Sequence, residues 1–214
     1  MILIASANGD VGMAAGWAVL QAGGSALDAV EAATRLVEDN PNDHTVGYGG
    51  YPNLLGEVEL DASIMDGTTL RAGAVGALRG YRHPISVARR VMEELPHVML
   101  VGEGAARFAE ELGLPRENLL SDEAARAWRE GIEGRLPEEF RDAHGQIMST
   151  LLRRATRLAT DPERVAGTVN FIAQDSAGRI ASAVSTSGWA WKYPGRLGDS
   201  PIIGAGNYAD SRYG

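Results

Sequence analysis

The apolar positions of the chain change spacing several times, and each change predicts a new element. Ile2–Ala5 is a short apolar run that ends at a polar Asn-Gly-Asp sequence, which predicts a buried strand followed by a loop. Apolar residues then recur at helical spacing over Val11–Ala22 and again after Ser25. Ser25 and Asp28 have the spacing of a capping box, and Asn40 with the proline after it ends the second helix. The chain therefore opens with a strand and two consecutive helices.

Two later segments predict β-hairpins. Val58–Met65 alternates between apolar and polar residues, an Asp-Gly turn follows, and Leu70–Val75 returns as the second strand. Thr168–Gln174 and Arg179–Thr186 form a similar pair around an Asp-Ser-Ala-Gly turn. Because the strands of a hairpin are antiparallel, Thr168 at the start of one strand and Thr186 at the end of the other should lie close together.

The segments between these hairpins predict further helices, so the fold class is α+β. Pro84 is placed to begin a helix that Pro96 closes, and a short strand and a second helix follow. Residues 114–166 are rich in arginine and glutamate and carry only a thin apolar stripe, which predicts a peripheral segment of short helices. Its end, from Thr160 to Ala166, is predicted to be an exposed connector where the chain could be cut.

One loop and two tryptophans leave alternatives open. Asp43–Gly56 combines glycines with aromatic residues, which fits either a packed loop with tight turns or a loop that faces a ligand. Trp189 and Trp191 have strand spacing, which fits core or interface positions as well as the entrance of a substrate site.

Composition narrows the function classes. The 214 residues suit one domain, and the 44% hydrophobic and 22% charged content is that of a folded protein. The net charge of −8 argues against a nucleic-acid partner, which needs a clustered basic face. No segment approaches the ~20 apolar residues of a membrane span, and the start of the chain lacks the features of a signal peptide, so we predict no membrane partner and a cytoplasmic location. The absence of cysteine excludes thiolate chemistry.

The residues from 167 onward suggest a hydroxyl nucleophile. A threonine needs a base to remove its proton, and none of the four histidines stands in a recognisable triad arrangement. A threonine that is the first residue of a chain can use its own α-amino group, which requires a cut between Gly167 and Thr168. The alternative is that this Gly-Thr pair only begins a strand. Arg196 and Asp199 lie three residues apart in a glycine-rich loop, where the alternative to ligand binding is a local surface ion pair.

Several motifs in fixed order connect these residues to a known family. They are Gly24–Glu31, Val46–Gly50, Leu60–Thr69, Gly73–Gly76, Leu100–Glu103, the region of Thr168, and Pro194–Pro201. On these motifs the chain from Gly16 to Tyr208 resembles the asparaginase 2 family of N-terminal nucleophile hydrolases. The resemblance implies a four-layer αββα sandwich in one domain, with residues 1–167 as its α segment and 168–214 as the start of its β segment.

The resemblance also implies a role for each site residue. Thr168 would be the nucleophile, released by self-cleavage after Gly167, and Thr186 would orient it. Arg196 would bind the α-carboxylate and Asp199 the α-ammonium group of a small asparagine-type substrate, whose side-chain amide is hydrolysed to release aspartate. No metal and no cofactor is implied. The expected assembly is a homodimer of cleaved units.

Three departures from the family pattern leave the function open between alternatives. Ala7 or Asn8 stands where glycosylasparaginases carry a tryptophan, Gly167 is the residue of the isoaspartyl peptidase branch, and Asn170 replaces a usual glycine. The family continues with a Thr-Gly pair that supplies the oxyanion hole, so we expect the chain to be incomplete at its C-terminus. The alternatives are an isoaspartyl peptidase/L-asparaginase rather than a glycosylasparaginase, or a non-catalytic truncated or unprocessed form.

Overall fold

A six-stranded sheet organises the chain. The computed structural model describes residues 1–160 and 167–213. The strand order is β1-β5-β6-β2-β3-β4, in which β3 and β4 pair in parallel and every other neighbouring pair is antiparallel. The strands are β1 (Ile2–Ala5), β2 (Leu60–Asp66), β3 (Arg71–Leu78), β4 (Met99–Val101), β5 (Val169–Gln174) and β6 (Ile180–Thr186). Both predicted hairpins are present, as β2–β3 and β5–β6.

The described residues form the α-helices α1 (Asp10–Gln21), α2 (Ala26–Glu38), α3 (Pro84–Glu94), α4 (Gly102–Glu111), α5 (Asp122–Glu133) and α6 (Leu152–Ala159). The first three begin close to their predicted starts. The capping box at α2 is formed, since the Asp28 backbone N–H donates to Ser25 Oγ at 3.1 Å and the Ser25 backbone N–H donates back to the Asp28 carboxylate. The mixed α+β class is therefore confirmed. None of these helices combines the length and the apolar character needed to cross a membrane.

One face of the sheet, the helix face, is apolar and covered by helices. Side chains that alternate along the strands, such as Ile64, Val75 and Phe171, share one buried core with α1 to α4. The contact between α1 and α2 is close, because a Cβ added at Gly12 would lie 2.2 Å from the backbone oxygen of Ala33. Glycine is thus required at that helix crossing.

The opposite face, the loop face, is partly covered by the chain after β6. Ser63 on β2 donates to the Ser200 carbonyl at 2.6 Å and accepts from Asn207 Nδ2 at 3.0 Å. At the β1 edge, Ile2 and Ile4 are both 53% exposed on this face. The described residues place no second sheet here, so the four-layer arrangement stays a prediction.

The segment that was expected to be peripheral has a small core of its own. Ile132, Phe140 and Ala155 are buried together with Trp191, which is fully buried. The prediction is wrong for these residues, because the partner that buries them comes from the distant loop after β6 and leaves no local periodicity. Residues 161–166 of the predicted connector lie outside the described residues.

Candidate active site

The β5–β6 hairpin brings the two predicted threonines to one end of the sheet. Val169 pairs with Ser185 in the antiparallel register, so Thr168 directly before β5 lies beside Thr186 at the end of β6. Thr168 is exposed, whereas Thr186 is buried. The hairpin therefore presents one accessible hydroxyl and one enclosed hydroxyl at the same edge.

A small cavity of about 70 Å³ collects the five predicted site residues. Gly167, Thr168, Thr186, Arg196 and Asp199 all line it, although they come from three separate segments of the chain. The remaining lining residues are Gly188, Trp189, Gly198 and Ser200. The structure thus places these residues together, while their roles in chemistry remain predictions.

The Thr186 hydroxyl contacts the backbone on both sides of the cavity. Its Oγ1 lies 3.4 Å from the Gly167 carbonyl oxygen and 3.3 Å from the Thr45 carbonyl oxygen, and it accepts a hydrogen bond from the Gly188 N–H at 3.0 Å. A hydroxyl has one proton, so its donation alternates between the two carbonyls. One of them belongs to the peptide bond between Gly167 and Thr168, which is the bond predicted to be cut.

Gly167 is held in a space that no other residue could occupy without a shift. A Cβ added there would lie 2.2 Å from Oγ1 and 2.5 Å from Cβ of Thr45. Thr45 itself is fixed by Asp43, whose Oδ1 accepts from the Thr45 N–H at 2.9 Å and from its hydroxyl at 2.5 Å. The need for glycine at this position therefore comes from close packing against Thr45.

Polar residues near the N-terminus support the backbone of Thr168. Ser6 Oγ lies 3.2 Å from the Thr168 carbonyl oxygen and 2.8 Å from Asn8 Oδ1, and it accepts from the Asn170 N–H at 3.0 Å. Asn8 Nδ2 donates to Asp43 Oδ2 at 2.9 Å. This network links the start of the chain to the loop of Thr45, so the Asp43–Gly56 loop is both packed and adjacent to the site. Sequence reasoning missed Ser6 and Asp43, and Asn8 stood out only as a departure from the family pattern.

The Arg196 guanidinium packs on an aromatic ring rather than on a carboxylate. Its Cζ lies 4.3 Å from the ring centroid of Trp189. Within residues 1–160 and 167–213, no carboxylate oxygen approaches Arg196 to ion-pair distance, and the expected alternative of an Arg196–Asp199 ion pair is not formed. Both charged groups line the cavity, and among the described residues neither forms an ion pair there.

Buried charges anchor the loop that carries Arg196 and Asp199. The Glu59 carboxylate accepts from the Gly195 N–H at 3.0 Å, and Asp61 accepts from the Gly198 N–H at 3.4 Å. Lys192, the only lysine of the chain, donates to the Glu59 carbonyl at 2.9 Å and to the Ser187 carbonyl at 2.6 Å. Burial raises the pKa of Asp61 and lowers the pKa of Lys192, while the attraction between the two groups opposes both shifts.

Among the described residues, no histidine lines this cavity. Within the part of the chain that the structure describes, no three His, Asp or Glu side chains are arranged as a metal site.

A sequence model of the asparaginase family matches residues 10–214. The chain belongs to the asparaginase family. The family predicted from the sequence motifs is thereby confirmed.

Among the asparaginase-family relatives, three differ in the substrate that their names give. An N(4)-(β-N-acetylglucosaminyl)-L-asparaginase of Elizabethkingia miricola is 43% identical over 92% of this chain and 52% of its own length. An isoaspartyl peptidase/L-asparaginase of Mus musculus is 41% identical over 93% and 56%. A plant-type L-asparaginase of Pyrococcus abyssi is 43% identical over 92% and 61%. The chain therefore spans a little over half the length of these relatives, and similar identities to all three select no substrate.

Proposed function

We propose that this protein is an amidohydrolase that cleaves the side-chain amide of asparagine-type small molecules and releases aspartate. The observation that carries the proposal is that Thr168, Thr186, Arg196 and Asp199 line one cavity. A planar guanidinium suits a carboxylate, and Asp199 supplies the opposite charge for an ammonium group. An α-amino acid presents both groups on one carbon.

The nucleophile is made by self-cleavage. Thr168 Oγ attacks the carbonyl carbon of Gly167, the C–N bond to Thr168 breaks, and the nitrogen takes the hydroxyl proton. Thr186 Oγ1, 3.4 Å from the Gly167 oxygen, is placed to stabilise the negative charge that develops on that oxygen. Water then hydrolyses the ester and leaves a new chain that begins with Thr168.

The freed amino group serves as the base in the hydrolysis of substrate. Its pKa of about 7.7–8.0 allows it to accept the Thr168 hydroxyl proton near neutral pH. Oγ attacks the side-chain amide carbon of the substrate, the amine leaves with a proton, and an acyl-enzyme ester forms. Water resolves this ester to aspartate. No metal or cofactor takes part in these steps, and the enzyme acts as a homodimer of cleaved units with the four-layer αββα fold, its β segment beginning at Thr168.

The cut is tested by mass spectrometry of the purified protein. We expect two pieces divided before Thr168, and a single chain for Thr168→Ala. Thr69→Ala is the matched control, because Thr69 is exposed and its hydroxyl bonds to Asp66 and Arg71 at the β2–β3 turn, and it should be cut like the wild type. An uncut chain that still releases aspartate would overturn the mechanism.

The substrate is tested by comparing aspartate release from L-asparagine, β-aspartyl dipeptides and N-acetylglucosaminyl-asparagine. We propose the isoaspartyl peptidase/L-asparaginase branch as the alternative to a glycosylasparaginase, since Asn8 is engaged with Asp43 rather than offering an aromatic surface. The competing function is a non-catalytic, unprocessed form. It is favoured if the chain stays intact and none of the three compounds is hydrolysed.

A further inference from the structure

We propose that Trp189 is a positioning residue for Arg196: its indole ring holds the guanidinium in the orientation that binds the substrate α-carboxylate, without neutralising its charge. The inference rests on the proposed function, because it assigns to Arg196 the carboxylate of that substrate. It adds a residue that the family resemblance does not supply.

The guanidinium lies in a cradle with three sides. The Trp189 ring is one side, at 4.3 Å from Arg196 Cζ. Gly188 and Gly198 form the others, since a Cβ added at either glycine would lie 3.1 Å from Arg196 Nη1. A side chain at either position would crowd the guanidinium, so glycine at both positions allows the guanidinium to pack against the Trp189 ring.

The backbone that carries Trp189 is held on both sides. Gly188 has a φ of 69° and donates its N–H to Thr186 Oγ1, and Trp191 is fully buried with a φ of 58°. Trp189 between them is 42% exposed and lines the cavity. Because the backbone around Trp189 is held and its side chain is exposed at the cavity, the ring can contact groups in the cavity rather than side chains of the core.

The ring fits this role better than an acidic partner would. A carboxylate beside Arg196 would fix its orientation but occupy the same N–H donors that a substrate carboxylate needs. A ring face attracts the cation through its quadrupole and leaves the donors at the guanidinium edge free. The arrangement thus orders the arginine before the ligand arrives.

The test compares two ligands that differ by one carboxylate. L-Aspartate, the product, carries the α-carboxylate, and β-alanine is the same molecule without it. Calorimetric titration of Trp189→Leu should give a Kd for L-aspartate raised about three- to tenfold, with the Kd for β-alanine changed less than about twofold. Trp189→Phe, which keeps a ring face, should bind L-aspartate within about threefold of the wild type. Trp17→Leu is the matched control, because Trp17 on α1 is similarly exposed (38%) and should leave both affinities unchanged.

A ligand-free measurement separates this inference from the proposed function. The Arg196 Nε–H resonance, assigned by its loss in Arg196→Lys, should shift in Trp189→Leu and not in Trp17→Leu, because the ring current is removed. An unmoved resonance, or equal weakening of both ligands in Trp189→Leu, would overturn the inference. If the wild type fails to bind L-aspartate while the resonance shifts as expected, the proposed function fails and the positioning of Arg196 by the ring stands.

Discussion

The two faces of the sheet are buried by different kinds of contact, although the same strands form both faces. On the helix face, Ile64 and Phe171 enter one continuous apolar core with α1 to α4. On the loop face, the neighbouring positions Asp61 and Ser63 are also fully buried, yet they bond to the backbone of the chain after β6. Burial is equally deep, but its partners are apolar on one side and polar on the other.

This difference separates the contacts that stabilise the sheet from the contacts that fix the positions of the site residues. Apolar burial is non-directional, so the helix face stabilises the sheet without depending on the direction of any single contact. Hydrogen bonds are directional, and buried polar groups must be paired, so the loop face fixes the positions of Gly195 and Gly198 on either side of Arg196. The site lies where the second kind of contact dominates.

The largest expected effect is on the helix face. Phe171→Ala removes a fully buried ring that packs against Gly9 and Gly12, and should lower the free energy of unfolding by about 3–5 kcal/mol. Urea denaturation measures it, with Phe171→Leu as the smaller truncation that should cost less. A loss below about 1 kcal/mol for Phe171→Ala would show that this face does not carry the stability.

A smaller stability effect but a larger effect on the site is expected on the loop face. Lys192→Met leaves the carbonyls of Glu59 and Ser187 without their donor and should lower the free energy of unfolding by about 2–4 kcal/mol. Because Lys192 binds the backbone carbonyl of Glu59, whose carboxylate accepts from the Gly195 N–H beside Arg196, binding of L-aspartate should weaken as well. Arg212→Met removes an exposed cation and serves as the control. Unchanged L-aspartate binding in a folded Lys192→Met protein would contradict the anchoring role.

The smallest expected effect concerns Glu38, an acidic residue that is buried on the helix side of the sheet. Glu38 is fully buried, and its Oε1 accepts from the Ile85 N–H at 3.1 Å and from Ser185 Oγ at 2.7 Å. Its Oε2 lies 3.4 Å from His83 Nδ1, and within the described part of the chain neither atom has a hydrogen-bond partner. Burial raises the pKa of Glu38, so the folded state holds this proton more tightly than the unfolded state. The contribution of this protonation to the free energy of unfolding is therefore full below the ordinary glutamate pKa, and it is lost as the pH rises through the raised pKa.

The substitution Glu38→Gln should remove this loss of stability at higher pH. The amide keeps both accepted bonds and adds a donor toward His83 Nδ1, which should stabilise the variant by about 1 kcal/mol above neutral pH. Urea denaturation at about pH 4 and about pH 8 should show the variant gaining on the wild type as the pH rises. Glu111→Gln, at an exposed position, is the control. A variant that loses stability at the higher pH would mean that the charged form of Glu38 is required.

The parts of the fold that depend on neighbours in sequence were predictable. The Ser25 capping box, the start of α3 at Pro84 and the β5–β6 hairpin each follow from residues a few positions apart. The cluster around Trp191 was not, because its members meet across long loops. Periodicity reports which side of an element is apolar and does not report what covers it.

The candidate site divides in the same way. Thr168, Thr186, Arg196 and Asp199 were found through motifs and lie together, whereas Thr45 and the buried carboxylates that hold the loop were not singled out. Their contacts join residues more than a hundred positions apart, which a single sequence does not pair. The close packing against Thr45 that requires glycine at position 167 was not predictable from the sequence for the same reason.

The burial of Lys192 has a practical consequence for chemical labelling. It is the only lysine, and its side chain is enclosed. A reagent that acylates primary amines in the native protein therefore finds only the α-amino groups at the starts of chains. A chain of these 214 residues would take up one label at its α-amino group when intact, and two labels when cut before the exposed Thr168. Label stoichiometry would count the number of chain starts in solution, without denaturation or a substrate.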